Sequence, residues 1–206
     1  MSGIVGDNVA RASGVIASAG GGDFIKIATA EVTGSAVADV SLEGCFTSDY
    51  TLYQLRFERL IGDGADYFHP IMLDASNNAL TGTYYSKGHY IAGEFNGSSP
   101  NGCTSMNSTT GVKLTNGYYS NRYIGTHGTM DFFDPQLTLG AAATANGPYP
   151  AFKTNIFGGM VSSNYYWHND WIVYQGSTTP YGGIKFKMSA GNIEVGFRAT
   201  MYGIKS

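Results

Sequence analysis

The sequence predicts an all-β protein: an antiparallel β-sandwich, jelly-roll-like, with an extended N-terminal arm. Charged residues are only 13% of the 206 residues, against about a quarter in ordinary soluble domains. Glycine accounts for 29 residues, about twice its usual share. Helices in water carry charged outer faces and avoid glycine, and no segment shows a helical period with caps at both ends. Strands and tight turns suit this composition better.

The N-terminal segment differs from the rest of the chain. Residues 1–22 are rich in Gly, Ala and Ser with isolated apolar residues, and they show neither a strand period nor a helix period. Because such a segment has no core of its own, we predict a docking arm held by a neighbouring surface, followed by a sandwich domain at 23–206. The residues expected to make its contacts are Ile4, Val5, Val9, Arg11, Val15 and Ile16.

The clearest strand is predicted at residues 50–60. Tyr53, Leu55 and Phe57 alternate there with polar residues, and period-two alternation is typical of a strand with one buried face. Residues 67–73 follow a turn and are predicted to return as its antiparallel partner.

Other segments are predicted from shorter patterns. Pro70 indicates an edge strand or a bulge, because proline cannot donate a ladder hydrogen bond. Polar, glycine-containing stretches at 96–116 and 140–150 are predicted to be loops. Further strands are predicted at 24–28, 36–42, 81–86, 89–95, 118–125, 128–133, 152–161 and 167–174.

The C-terminal region predicts a closing hairpin. Apolar residues alternate over 184–188 and again over 193–201, with turn residues at 189–192 between them. Lys and Glu on the outer faces are expected to pair across this hairpin. About ten short strands separated by turns indicate a sandwich or jelly roll, in which the first and last strands share a sheet.

The residue types that carry chemistry form no recognisable catalytic or metal-binding pattern. No nucleophile signature accompanies a histidine, and no glycine loop leads into a helix to hold phosphate. Cys45 and Cys103 lack partners at zinc-ligand spacing and are predicted to be unpaired, mostly buried thiols. We therefore expect no cofactor and no metal. Structural roles are expected for His69, His89, His127 and His168.

Two aspartate pairs leave alternatives open. Asp131 and Asp134 flank two phenylalanines, and Asp63 and Asp66 share one turn. Turn chemistry accounts for such neighbours, so we expect structural roles. The alternatives are a glycosidase that uses Asp131 or Asp134, and a calcium site at Asp63 and Asp66.

The densest aromatic cluster comprises Tyr165, Tyr166, Trp167 and Trp171. Alternating rings can fill a sandwich core, form a protein interface or stack on the apolar faces of sugars. The pattern alone leaves these three interpretations open.

The opening residues carry no secretory pattern, no run of 18 apolar residues indicates a membrane span, and a net charge of −3 indicates no nucleic-acid partner. Three short stretches carry a resemblance. Residues 6–16 contain an Asn-x-x-Arg-x-Ser-Gly stretch, residues 46–53 lead into a Leu-Arg-Phe strand, and residues 202–205 close on Tyr-Gly-Ile-Lys. Together they resemble small β-sandwich structural proteins of marine bacteriophage virions, of the decoration and tail-fibre types.

The resemblance implies a non-enzymatic virion component that is synthesised in the host cytoplasm. The expected role is a capsid decoration (cement) protein, or a short fibre or appendage, that docks on capsid or tail proteins through its arm. The resemblance also favours a homo-oligomer, and a trimer in particular. The alternative is a tail-fibre, lectin-like domain that recognises host surface glycan.

Overall fold

The computed structural model describes residues 24–63, 68–80, 84–94, 101–108, 125–136, 151–160, 165–175 and 179–205. The predicted docking arm, the predicted loop at 140–150 and most of the predicted strand at 118–125 lie outside the described residues. The described ranges contain eleven β-strands and no helix.

The strands, numbered in chain order, are β1 (Phe24–Glu31), β2 (Asp39–Leu42), β3 (Leu52–Leu60), β4 (Phe68–Leu73), β5 (Tyr84–Glu94), β6 (Asn101–Ser108), β7 (Thr126–Phe133), β8 (Ala151–Met160), β9 (Tyr165–Gln175), β10 (Gly183–Met188) and β11 (Arg198–Ile204).

Two antiparallel sheets form a sandwich, which confirms the predicted fold class. The large sheet has the order β1-β11-β3-β7-β8-β9-β5-β6, and the small sheet has the order β2-β10-β4. The sandwich layers have five and three strands, and most of the large sheet's core residues lie on β3, β7, β8 and β11. The first strand pairs with the last, and the second with the last but one. Strands from the two ends of the chain thus alternate between the sheets, which is the winding of a jelly roll.

Strand β3 has the alternation that its sequence predicts. Tyr53 and Leu55 are fully buried and Phe57 nearly so, whereas Arg56 and Glu58 on the opposite face are exposed. Since β3 lies between β11 and β7, its two faces define an inner and an outer side for the neighbouring strands.

The predicted pairing of residues 67–73 with β3 is wrong. Strand β4 belongs to the small sheet and pairs with β10, so the chain crosses the core after β3. Five of the six positions in β4 are buried. A strand paired with β3 would be expected to alternate between buried and exposed positions, as β3 does, and β4 does not. Pro70 does lie on an edge strand, as predicted.

The predicted C-terminal hairpin is also wrong, because β10 and β11 lie in different sheets. The rings of Phe186 and Phe197 meet edge to face across the core, with centroids 5.3 Å apart. Both alternating segments therefore point into one core from opposite sides. Their charged residues pair with other strands instead: Lys185 with Asp39 at 3.7 Å, and Arg198 with Glu31 at 2.9 Å.

In the middle of the chain the structure differs from two further predictions. The segments at 81–86 and 89–95 contribute to one long strand, β5. Within the predicted loop at 96–116, β6 forms an edge strand that pairs with β5. Six of the eight residues of β6 are Asn, Gly, Ser or Thr, and Cys103 and Met106 do not alternate with a period of two, so its sequence resembles a loop.

The centre of the core is a cluster of phenylalanine rings around Phe186. Its ring stacks on that of Phe68 at 5.7 Å and lies 6.5 Å from that of Phe57. These contacts join β10 to β4 within the small sheet and to β3 across the core.

Replacing Phe186 with alanine is expected to lower the free energy of unfolding by about 3–5 kcal/mol, because the ring is fully buried. Urea unfolding of the wild type and the variant measures the change. The control is Phe157→Ala, since that ring is 52% exposed and its loss should cost about 1 kcal/mol or less. Equal losses for the two variants would contradict the placement of Phe186.

Candidate functional site

The outer face of the large sheet carries the candidate functional surface. It consists of the positions on β1, β11, β3, β7 and β8 that alternate with the buried ones. Antiparallel sheets can keep one face in water, and that face is then normally polar. Two places on this face, one apolar and one charged, are candidates for a functional site.

The first place is an apolar row that crosses the sheet from strand to strand. Phe24 pairs with Ile204, Ile204 with Leu52, Leu52 with Phe133, and Phe133 with Ala151. The five residues Phe24, Ile204, Leu52, Phe133 and Ala151 are called the apolar row below. The same register continues on the backbone to Tyr174 of β9 and Tyr85 of β5.

The apolar row is substantially open to solvent. Phe24 is 46% exposed and Phe133 is 52% exposed, while Leu52, Ile204 and Ala151 are half-buried. Single exposed apolar residues are common on protein surfaces. A contiguous set that spans five strands is less common and is typical of interaction surfaces.

The second place is an open cleft of about 310 Å³ on β1, β11 and β3. It is called the Arg56 cleft below, and its lining residues are Lys26, Arg56, Phe57, Glu58, Arg198, Thr200 and Tyr202. The guanidinium carbon of Arg56 lies 5.4 Å from the ring centroids of both Phe24 and Tyr202. The two rings meet edge to face, with centroids 6.1 Å apart. Cation–π attraction therefore contributes to holding the guanidinium beside both rings.

A hydrogen-bond chain also fixes the orientation of Arg56. Its Nε donates to Oε1 of Gln54 at 2.8 Å, and Nε2 of Gln54 donates to Oδ1 of Asp131 at 2.9 Å. This chain uses one side of the guanidinium and leaves the terminal nitrogens on the other side for the cleft.

The predicted aromatic site lies on β9. Tyr165, Tyr166, Trp167 and Trp171 all belong to this strand, which is hydrogen-bonded between β8 and β5. Trp171 pairs with Thr154, a buried position of β8, and Trp167 pairs with Gly158. The cluster therefore lies on a strand that has a neighbour on each side in the large sheet.

Three aspartates that were candidate catalysts or calcium ligands have described hydrogen bonds, and in Asp134 the backbone makes the bond. Asp131 accepts the hydrogen bond from Gln54, and the backbone N–H of Asp134 donates to the carbonyl of Thr51. Asp63 accepts hydrogen bonds from the backbone and side chain of Asn192, whereas Asp66 lies outside the described residues. The searched portion of the chain contains no group of three or more potential metal ligands.

Two histidines have described surroundings. His69 is buried in β4, and His127 stacks on Phe157 with ring centroids 5.4 Å apart. The backbone N–H of Arg59 also donates to Nδ1 of His127, at 3.4 Å. His89 and His168 lie on β5 and β9.

Cys45 is an unpaired, fully buried cysteine, as predicted. Burial raises the pKa of its thiol from 9.0 to about 12, although backbone hydrogen bonds at Cys45 and Ile184 oppose the shift. A nucleophilic cysteine needs a lowered pKa, so this thiol has the properties of a core residue. Cys103 lies on β6, and its pairing stays a prediction.

Tyr84 is a second buried titratable group. Burial raises the pKa of its phenol to about 12, although the hydrogen bond from the backbone of Met72 lowers the pKa in part. The hydroxyl accepts from the N–H of Met72 at 3.2 Å and donates to the carbonyl of Leu80 at 3.1 Å. Both bonds tie β5 to the small sheet and its following loop.

The part of the chain that was searched has no helix with the length and hydropathy needed to cross a membrane. No protein-family model, curated protein or solved structure matches this chain.

The sequence analysis did not identify the Arg56 cleft. Arg56 stood out only as a polar position of β3, while Phe24 and Tyr202 lie near opposite ends of the chain. The one indication in the sequence was the expectation that the first and last strands share a sheet, which would bring residues near the two ends of the chain together. Pairing those strands in register would have placed Lys26 beside Tyr202.

Above pH 9 the protein is expected to lose stability through Cys45. The folded state, with the raised pKa, keeps the proton that the unfolded state releases, so stability falls as pH rises from about 9 towards 12. Between pH 8 and pH 10 the loss from this thiol should be about 1.4 kcal/mol. Urea unfolding under reducing conditions measures it.

The matched variant for this test is Cys45→Ala, which removes the thiol. Its free energy of unfolding should fall less between pH 8 and pH 10 than that of the wild type. Tyr84 lowers the free energy of unfolding mainly between pH 10 and about pH 12, so it contributes little to the change between pH 8 and pH 10. Parallel pH profiles for the two proteins would contradict the buried, protonated thiol.

Proposed function

We propose that this chain is a non-enzymatic structural protein of a bacteriophage virion. It acts as a capsid decoration protein or a short fibre or appendage, and its N-terminal arm docks it on other virion proteins. The observation that carries the proposal is the exposed apolar row across the outer sheet face. An apolar stripe in a rim of polar residues is suited to packing against protein.

A second copy of this chain is the proposed occupant of the apolar row. The net charge is −3 and only 13% of residues are charged, so electrostatic repulsion between copies is weak. Closed cyclic symmetry lets a modest domain bury a large apolar area between copies, and we favour a trimer. The arm then remains available to join the assembly to the particle.

The fold supports this proposal by analogy. Jelly-roll sandwiches form viral capsid domains and lectin domains, although one fold can host many functions. The hydrogen bond from Gln54 to the carboxylate of Asp131 and the protonated thiol of Cys45 support a role without catalysis. The proposed partners are virion proteins, without nucleic acid or membrane, and the proposed location is the virion.

Replacing Phe133 with serine is expected to weaken self-association at least about tenfold, because a large ring is removed from the interface. Light scattering over a dilution series of the wild type and the variant measures the change in mass. The matched control is Phe157→Ser: both rings are 52% exposed on the outer face, but Phe157 lies outside the apolar row. A wild type that stays monomeric at all concentrations, or equal weakening by both variants, would contradict the interface.

Deletion of residues 1–22 is expected to leave the sandwich folded and associated but unable to join particles. Circular dichroism and light scattering report the fold and the mass, and co-sedimentation with phage particles reports docking. Particle binding that survives the deletion would exclude the arm as the docking element.

The second candidate function is recognition of a neutral host glycan through β9. Its support is the concentration of Tyr165, Tyr166, Trp167 and Trp171 in one strand. A glycan array with the wild type and Trp171→Ala tests it. An array without hits, or hits that Trp171→Ala leaves unchanged, would reject it.

A further inference from the structure

The charges of the Arg56 cleft add up to a single positive charge. Lys26 has no ion-pair partner within the described part of the chain, and the only described hydrogen bond of Arg56 is the one from Nε to Gln54. Arg198 is neutralised by Glu31 at 2.9 Å, and Glu58 contributes one negative charge. Two unneutralised cations and one carboxylate therefore face the cleft, and their sum favours a ligand with one negative charge.

The cationic group in the cleft is held before any ligand arrives. The rings of Phe24 and Tyr202 flank the guanidinium of Arg56, and Gln54 fixes its Nε side. An arginine held in this way loses little side-chain entropy when its terminal nitrogens bind a carboxylate in a planar, bidentate arrangement.

The remaining groups of the cleft suit hydroxyls and C–H surfaces. Glu58 accepts hydrogen bonds only, while the Thr200 hydroxyl, which lies 3.2 Å from that of Thr29, can donate or accept. The half-buried ring of Tyr202 and the exposed ring of Phe24 offer apolar faces. A sugar ring that carries a carboxylate presents all three complementary features: one charge, several hydroxyls and an apolar face.

A densely charged polyanion suits the cleft less well. Glu58 would repel closely spaced phosphates or sulfates, and the chain as a whole carries a net charge of −3. A polysaccharide with one carboxylate per sugar unit spaces its charges more widely and surrounds each of them with hydroxyls.

We infer that the Arg56 cleft is a binding site for carboxylated sugars, such as the uronic acid units of acidic polysaccharides. Arg56 and Lys26 bind the carboxylate, Tyr202 contacts the sugar ring, and Glu58 and Thr200 bind hydroxyls. This site is separate from the aromatic cluster of β9, and it does not rest on the virion assignment. Arg56 and Glu58 lie four and six residues along β3 from Leu52, so they are beside the apolar row and outside it.

Titration with trigalacturonic acid tests the site, followed by amide NMR on the full chain. We expect saturable shifts that concentrate on residues 24–31, 54–58 and 198–204. The fully methyl-esterified trisaccharide keeps the sugar and removes the charge, so it should bind at least about tenfold more weakly.

Variants separate this site from general charge attraction. Arg56→Gln should weaken binding of trigalacturonic acid at least about tenfold while it preserves the dispersed amide spectrum, because the position is exposed. Lys187→Gln, which removes an exposed lysine of the small sheet, should leave binding unchanged.

Four results would overturn the inference: no saturable binding, equal binding of the methyl ester, full binding by Arg56→Gln, or pentaglutamate binding as tightly as the sugar. The last result would assign the cleft to acidic peptides. None of these results depends on self-association through Phe133, so failure of this site and failure of the proposed assembly role are distinguishable.

Discussion

The alternation of buried and exposed side chains along β3 is the constraint on which the rest of the structure depends. Tyr53, Leu55 and Phe57 are buried on one face of this strand. Phe57 packs there against Phe68 and Phe186 of the small sheet. Because side chains alternate with a period of two, a one-residue slip would exchange the two faces. The same register that buries the core therefore decides which residues meet on the outer face.

The jelly-roll winding turns this register into a surface. It places β11 between β1 and β3, so that residues from both ends of the chain and from the first third become neighbours. Phe24, Tyr202 and Arg56 meet only for this reason. The apolar row depends on the same register, two residues further along the pair of β11 and β3, where Ile204 pairs with Leu52. The buried core and the composition of the outer surface thus share one structural cause, although they use opposite faces of the sheet.

The sequence allowed the fold class, most of the strands and the buried face of β3 to be predicted, because each leaves a local pattern. It could not assign every partner. Alternation over residues 184–188 and 193–201 indicates which side chains are buried, but two strands that face each other across a core show the same alternation as two strands of a hairpin. The polar edge strand β6 has no apolar period at all. The Arg56 cleft combines residues of β1, β3 and β11. Local sequence patterns do not indicate which distant strands pair, so they could not predict this site.

Association through the apolar row predicts that part of the outer face of the large sheet becomes protected from solvent. Hydroxyl-radical footprinting of the full chain above and below its association concentration measures this protection. Phe133 and Phe157 serve as matched reporters, since each is 52% exposed in the isolated chain. We expect association to protect Phe133 and to leave Phe157 labelled. Unchanged labelling of Phe133 on association, or equal protection of both rings, would contradict it.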